Sequence, residues 1–287
     1  MNQRTALPPL SACEPPLPVR TRTRFATGIL ALLLSLLGLW MSFDLRSYPC
    51  EYAFHHGIDS PVLAVELASN ANELKTAISP TCANKPDLSP AEAQKQARSV
   101  LFRDTVADCF FIPLYALFVW SFGSLFSIRA DGSRLSLSRV LAAIMIITAL
   151  ADYVENIGIF RSLVVGPSDA IAQLTCWPSR SKWILLGVAL LLTAVILLRS
   201  ENTIYSLATR RLFSIAYIAS GALLIAGVWL PVLVGLALVL FSLIALFQIA
   251  ALLGPYMAGW IPADTPTYED DFCERKRTKK ADLAVHE

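Results

Sequence analysis

The sequence predicts an all-α protein: a polytopic membrane helix bundle of six transmembrane helices, with a four-helix core, a C-terminal hairpin and a small helical extracytoplasmic insertion. The chain has 287 residues, of which 55% are hydrophobic and 16% charged, and a mean hydropathy of +0.55. A soluble domain of this size is less apolar. Five long apolar stretches account for the excess. They are residues 25–43, 106–128, 140–160, 183–198 and 212–254.

The first stretch, residues 25–43, has the flanking charge of a signal peptide, because Arg20, Arg22 and Arg24 precede it. Its apolar run is longer than the core of a signal peptide, which is about 7 to 15 residues, and no small-x-small cleavage site follows. We therefore expect it to remain in the membrane as the first span.

The last stretch, residues 212–254, is about twice as long as the ~20 residues that cross a bilayer. Its middle reads "GVWLP" over residues 227–231, and the glycine and proline favour a turn. Two helices joined by this turn bring the predicted number of spans to six.

The positions of the basic residues predict orientation, because positive charge near short loops stays on the cytoplasmic side of a membrane. With six spans and both termini cytoplasmic, the inner segments hold 15 of the 24 Lys and Arg residues. These are Arg4, Arg20, Arg22, Arg24, Arg129, Arg134, Arg139, Arg199, Arg210, Arg211, Arg275, Lys276, Arg277, Lys279 and Lys280. The basic tail "ERKRTKK" then serves topology and attraction to anionic headgroups, and we expect the lipid bilayer and no nucleic acid as a partner.

This orientation predicts four regions. Residues 1–24 form a cytoplasmic basic, Pro-rich tail, and residues 25–200 form the four-helix membrane core, which includes the extracytoplasmic insertion 44–104. Residues 201–254 form the transmembrane hairpin, and residues 255–287 form a cytoplasmic charged tail.

The insertion contains two helix starts. Ser60 and Pro61 are a predicted N-cap and first helical residue for a helix through residue 78. Ser89 and Glu92 have the spacing of a capping box around Pro90. Because residues 91–112 contain no helix breaker, the second span is predicted to project outward by several turns.

Two cysteines of the insertion, Cys50 and Cys82, are the predicted disulfide, since an extracytoplasmic compartment permits one. Cys176 is the alternative partner. A zinc site built from these cysteines and the pair at residues 55 and 56, both His, is a further alternative, although no C-x-x-C or H-x-x-x-H spacing supports it.

The third span carries unusual polar residues in the stretch "ALADYVENIGIF". At 100° per residue, one helix face presents a polar stripe: Thr148, Asp152, Glu155 and Asn156. A charged residue at a helix centre costs roughly 2.5–3.5 kcal/mol to insert, which nearly cancels the gain from the apolar residues of this span. The stripe must therefore face protein, water or a bound ligand.

Neighbouring spans offer partners at the same depth. Asp104 and Asp108 lie one turn apart where the second span enters, and Tyr115 lies two turns deeper on the same face. Lys182 precedes the interfacial Trp183 at the predicted start of the fourth span, and a lysine there can reach inward. We expect a cluster in the outer leaflet that is built from Asp108, Asp152, Glu155, Asn156 and Lys182.

Four stretches, "VELASNANEL", "FRDTVADCFFIPLYAL", "ALADYVEN" and "LTCWPSRSKWILLGVALLL", resemble an uncharacterised family of bacterial membrane proteins with a four-helix core. That family has an E-L-A helix in the first outer loop, then D-x-x-F-x-P-x-Y, D-x-x-E-N and a lysine that opens the last helix. The resemblance covers roughly residues 25–200 and implies a bacterial inner membrane and a set of site residues, but no reaction. The matching residues are Glu66, Asp108, Pro113, Tyr115, Asp152, Glu155, Asn156 and Lys182.

Three functions stay open at this point. The excess of carboxylates over lysine favours a site for a cation, a proton or a small amphipathic ligand, since intramembrane carboxylates are functional candidates by default. A purely structural polar cluster in a membrane scaffold protein is the first alternative. A metal-dependent membrane hydrolase is the second, with His55 or His56 folded over the cluster, although the chain contains no G-x-S-x-G, H-E-x-x-H or P-loop. No cofactor is indicated.

Overall fold

The computed structural model describes residues 17–49, 58, 60–80, 88–127, 136–200 and 205–257. These residues form eight helices and no strand. The helices are α1 (Leu17–Leu45), α2 (Pro61–Glu66), α3 (Ala71–Ile78), α4 (Pro90–Phe126), α5 (Leu137–Val165), α6 (Asp169–Arg199), α7 (Leu207–Gly227) and α8 (Val232–Met257). Within the described ranges, six of them are long and apolar enough to span a membrane, namely all except α2 and α3. The predicted all-α membrane bundle is confirmed.

The insertion differs from its prediction in one respect, because residues 60–78 form two helices. Ser60 caps α2 by accepting a hydrogen bond from the backbone N–H of Leu63, with Pro61 in the first turn, as expected. The helix then ends, and Asn70 caps α3 by accepting from the N–H groups of the second and third residues that follow it. An asparagine competes with helical hydrogen bonding through its own side chain, so it starts a new helix here.

The α4 helix begins as predicted, with a capping box. The Ser89 side chain accepts a hydrogen bond from the backbone N–H of Glu92, and the Glu92 carboxylate accepts one from the backbone N–H of Ser89. Its 37 residues span about 55 Å at 1.5 Å per residue, against a hydrocarbon thickness of about 30 Å. The helix is therefore long enough to extend beyond the membrane by several turns, as its sequence predicts.

The six long helices form a closed ring in which each one packs against its neighbours in sequence, and α8 returns to α1. At the closure, the Arg24 guanidinium of α1 donates to the Ala251 carbonyl of α8 at 2.9 Å. The α7–α8 hairpin turns at residues 228–231, as its sequence predicts. The hairpin packs on both α6 and α1, so it completes the ring.

The helices α2 and α3, here called the insertion, cover one end of the ring and contact α4, α5 and α6. We call this the insertion end, and the end at Arg24 and Ala251 the opposite end. The insertion is anchored by fully buried apolar side chains, among them Ala64, Val65, Leu74 and Ile78. It is thus a packed cap on the bundle and leaves little of the ring's core open on that side.

The predicted disulfide between Cys50 and Cys82 lies outside the described residues, and the disulfide has no support from the structure. Its alternative partner, Cys176, is a free and buried thiol whose Sγ lies 3.7 Å from the Leu67 carbonyl oxygen. Cys109 is also a free thiol. The zinc alternative involves His55 and His56, which likewise lie outside the described residues.

Candidate functional site

The site is centred on Lys182, whose side chain is buried inside the bundle. Its ammonium lies 2.8 Å from Oε1 of Glu155, 2.9 Å from Oδ1 of Asp152 and 3.4 Å from Oε1 of Glu66. The ammonium donates hydrogen bonds to Asp152 and Glu155, and Glu66 lies within ion-pair distance. We refer to Lys182, Glu66, Asp152 and Glu155 as the carboxylate cluster.

The cluster draws its acids from two helices besides α6. Asp152 and Glu155 come from the polar stripe of α5, where Thr148 and Asn156 are also buried. The apolar residues between them are exposed on the outer surface, namely Ile147, Val154 and Ile157. This is the separation of faces that the helical period predicts. Glu66 is the last residue of α2, so the insertion itself supplies one wall of the site.

The remaining carboxylate oxygens are satisfied unequally. The Tyr115 hydroxyl donates to Oδ2 of Asp152 at 2.8 Å, and the Ser179 hydroxyl lies 3.4 Å from Oε2 of Glu66. Oε2 of Glu155 is fully buried and has no hydrogen-bond partner among the described residues. The most buried carboxyl group of the cluster is therefore the least satisfied.

Asp108 and Asn156 form a second polar pair next to the cluster. The Asn156 amide donates to Oδ2 of Asp108 at 2.8 Å and approaches Sγ of Cys109 at 3.7 Å. Asn156 follows Glu155 on α5, while Asp108 is half-buried on α4. Asp108 thus lies at the edge of the site, and part of the residue is exposed at the surface of the bundle.

Pro113 shapes α4 beside this pair. A proline inside a helix has no N–H for the carbonyl four residues earlier, which here is the carbonyl of Cys109. The Tyr153 hydroxyl of α5 donates to that carbonyl at 3.1 Å. A neighbouring helix therefore replaces the missing backbone bond, as apolar surroundings require.

A close contact between α5 and α6 sets the spacing of the lysine and its acids. A Cβ at Gly158 would lie 2.6 Å from Oγ1 of Thr175 and 3.2 Å from its backbone nitrogen. Only glycine allows the two backbones to approach this closely. Gly158 lies one turn from Glu155, so the approach brings Lys182 within reach of α5.

The prediction that the fourth helix begins at Lys182 is wrong. The α6 helix begins at Asp169, capped by the Ser168 side chain, and it continues through Pro178. Lys182 therefore lies well inside the helix, and its side chain meets α5 directly. The insertion packs against α6, and the segment before Lys182, residues 169–181, is less apolar than the rest of the helix.

Depth can be measured from the opposite end of the bundle. At 1.5 Å per residue, the distance along α6 from Lys182 to the end of the helix at Arg199 is about 26 Å. The distance along α5 from its start at Leu137 to Asp152 is about 22 Å by the same rise. On both helices fewer residues lie on the insertion side of the cluster than on the opposite side, so the cluster lies nearer the insertion end of the bundle.

One acid of this region is missing from the predicted cluster. The side chain of Asp104 is buried on α4, one turn before Asp108 toward the insertion end, and its Oδ1 has no hydrogen-bond partner among the described residues. The negative charges of Asp108, Glu66 and Asp44 repel the negative charge of the Asp104 carboxylate. The four-residue spacing from Asp108 is the available signal in the sequence, but the burial of Asp104 results from helix packing that the sequence does not display.

The structure brings together all seven predicted site residues. Glu66, Asp152, Glu155 and Lys182 are in direct contact, Tyr115 binds Asp152, and Asp108 binds Asn156. In the described part of the chain, no group of three His, Cys, Asp or Glu residues has the arrangement of a metal site. The hydrolase alternative therefore gains no support from these residues.

The molecule is thus a membrane-spanning helical bundle with a buried lysine–carboxylate cluster. No protein-family model, no curated protein and no solved structure matches the chain.

Proposed function

We propose that this membrane protein binds and releases a proton at the carboxylate cluster. The observation that carries the proposal is the excess of acid over base in the interior. Among the described residues, five buried or half-buried carboxyl groups share the region with a single lysine, namely Glu66, Asp104, Asp108, Asp152 and Glu155. Full ionisation would leave four uncompensated negative charges where water is scarce.

Such charge is too costly to keep. A buried carboxylate without a partner pays a desolvation penalty large enough that the group takes up a proton instead. Oε2 of Glu155, which is buried and without a partner among the described residues, is the strongest candidate for that proton. Glu155 and Asp152 share Lys182, so a proton on one changes the charge that the other experiences.

A proton suits this site better than a metal ion or an organic cation. The position between the carboxylates that a cation would occupy already holds the Lys182 ammonium, at 2.8 to 3.4 Å from three of them. A second cation would be repelled by that ammonium, whereas a proton binds to a carboxylate oxygen and needs no further space.

The test is infrared difference spectroscopy of the protein in lipid nanodiscs across a pH titration. A protonated carboxyl group has a C=O stretch that a carboxylate lacks. We expect such a band to titrate in the wild-type protein and to be lost or shifted in Glu155→Gln. The matched control is Glu92→Gln, an exposed acid that can keep its capping role as glutamine. A spectrum without a titrating carboxyl band, or one unchanged in Glu155→Gln, would contradict the proposal.

A purely structural role is the second candidate, because Lys182 forms ion pairs with three carboxylates. The double variant Asp152→Asn/Glu155→Gln separates the two functions. A structural cluster would lose its folded state in this variant, since buried Lys182 would keep only Glu66, at 3.4 Å, as a charge partner. A proton site would fold and lose only the titration.

We also propose that the insertion end is extracytoplasmic and that α1 begins, and α8 ends, on the cytoplasmic side of a bacterial inner membrane. The distribution of Lys and Arg supports this orientation. Reporter fusions to the C-terminus test it: a fluorescent protein that matures only in the cytoplasm should be active, and a periplasmic phosphatase should be inactive. The reverse pattern would overturn the orientation.

A further inference from the structure

The interior between the carboxylate cluster and the opposite end is filled by aromatic rings. On α4, one buried face continues from Tyr115 through Phe118, Phe122 and Phe126. Successive phenylalanine rings lie 6.0 Å and 4.9 Å apart between centroids. We call the full set the aromatic column. It consists of Phe118, Phe122, Phe126, Tyr205, Tyr217 and Phe241.

The column joins three sides of the ring. Phe241 of α8 meets Phe118 at 6.3 Å, Tyr217 of α7 meets Phe122 at 5.9 Å, and Tyr205, before α7, stacks on Phe126 at 5.1 Å. The three phenylalanines of α4 are fully buried. Along α4 they cover about 12 Å below the cluster, and phenylalanine has no group that can carry a proton.

Tyr217 of the column makes a polar contact. The Gln248 amide donates to the Tyr217 hydroxyl at 2.7 Å, which links α8 to α7. In the described part of the chain, no hydrogen bond connects this pair to the carboxylate cluster. Along α4, a relay of exchangeable groups from the cluster toward the opposite end is therefore interrupted at Phe118 and Phe122.

The insertion end is different, because ionisable groups continue from the cluster in that direction. Asp108 is half-buried and its charge interacts with that of Asp152. Asp104 lies one turn, about 6 Å, farther toward the insertion, and its Oδ1 is buried without a partner among the described residues. These two acids extend the row of carboxyl groups from the cluster toward the insertion end.

We infer that protons reach and leave the cluster from the insertion end alone, by way of Asp104 and Asp108, and do not cross the bundle. This inference rests on the proposed proton-binding function. Each step moves one proton from a carboxyl group to a neighbouring carboxylate, so charge and atoms balance. The protein would then be a one-sided proton sensor and not a proton carrier.

Trp183 provides a reporter for the test, because the Lys182 ammonium lies 4.7 Å from the centre of its ring. A change in the charge around Lys182 should alter the fluorescence of this indole. The Trp183 signal is obtained by subtracting the fluorescence response of Trp183→Phe from that of the wild-type protein. The full chain is reconstituted into vesicles that contain a trapped pH dye. An affinity tag on the C-terminus selects the vesicles in which the protein has one orientation, so that the same side of every molecule faces the outer solution.

We expect a pH step on the insertion side to change the Trp183 signal and a step on the opposite side to leave it unchanged. The dye should show a pH gradient that decays no faster than in vesicles without protein. A response to steps on the opposite side, or a proton leak that Glu155→Gln abolishes, would overturn the one-sided inference and leave the proton-binding function intact. Trp183 fluorescence that does not change after a pH step on either side, together with an infrared spectrum that lacks a titrating carboxyl band, would contradict the proton-binding function as well.

The route is tested by the rate of the response. Asp104→Asn and Asp108→Asn should each slow it by about a hundredfold, the lower end of what a positioned proton-transfer group contributes. Glu92→Gln, on the same helix but exposed, should respond at the wild-type rate. Asp108→Glu keeps a carboxyl group and should restore most of the rate if Asp108→Asn folds poorly. Unchanged rates in both asparagine variants would contradict the route.

Discussion

The Lys182 ammonium and the Glu155 carboxylate are 2.8 Å apart, although one lies on α6 and the other on α5 and both are buried. Their contact is part of a three-carboxylate arrangement that surrounds one cation. Breaking a buried ion pair by removing one partner is far more costly than replacing both partners, because the remaining charge is left unsolvated. The predictions below follow from this asymmetry and from the contacts that hold the helices in place.

Lys182→Met should destabilise the bundle by about 3–5 kcal/mol, the usual cost of an uncompensated buried charge. Reversible unfolding in mixed micelles measures the change. The double variant Lys182→Met/Asp152→Asn removes one of the stranded carboxylates and should recover part of the loss. If Lys182→Met were as stable as wild type, the three carboxyl groups would have to be neutral in the native protein.

Tyr115→Phe should have a small effect. It removes the hydroxyl that binds Oδ2 of Asp152 at 2.8 Å, and single interhelical hydrogen bonds in membranes contribute about 0.6 kcal/mol, with a maximum near 1.7. The same unfolding assay applies. A loss as large as that of Lys182→Met would mean that the tyrosine, and not the lysine, holds Asp152 in place.

Tyr153→Phe and Pro113→Ala should be coupled in a double-mutant cycle. In wild type, Tyr153→Phe leaves the Cys109 carbonyl without the donor that replaces the missing proline N–H, at a cost of about 1 kcal/mol. In the Pro113→Ala background, the alanine N–H can bind that carbonyl, so the same change should cost less. Equal costs in the two backgrounds would show that the hydroxyl does not compensate for Pro113.

Gly158→Ala should destabilise by about 1–3 kcal/mol, the usual effect of overpacking, because the new methyl group would overlap Thr175. It should also weaken the infrared band assigned to Glu155, since α5 must move away from Lys182. Gly235→Ala is the control, because a Cβ there meets no atom within 4 Å. Comparable losses in both variants would point to a general intolerance of alanine instead of a specific contact.

Much of the site is predictable because its residues are costly in a membrane. The stripe on α5 follows from the helical period alone, and Asp152, Glu155 and Asn156 are buried as predicted. The long α4 and the turn at Pro231 also follow from local signals, namely a capping box and turn residues. These features depend on a few neighbouring residues, which a sequence displays directly.

Other features depend on packing between distant segments. The sequence pattern places the start of α6 too late in the chain, at Trp183 instead of Asp169, because hydropathy registers contact with lipid and the insertion covers the earlier turns. Asp104 is missing from the predicted cluster because its burial also results from helix packing. The break at Asn70 has a local signal, since Asn70 and Glu73 have the spacing of a helix start. The α2 helix before it is too short to show the hydrophobic periodicity by which helices are predicted.

The closure of the ring has a consequence for biogenesis. The bond between Arg24 and Ala251 joins residues 227 positions apart, so the side of α1 that packs against α8 stays uncovered until α8 has been synthesised. Contacts of such high sequence separation form late and slowly. A ribosome stalled before α8 would release an open five-helix intermediate, which is the species that quality-control proteases would be expected to encounter.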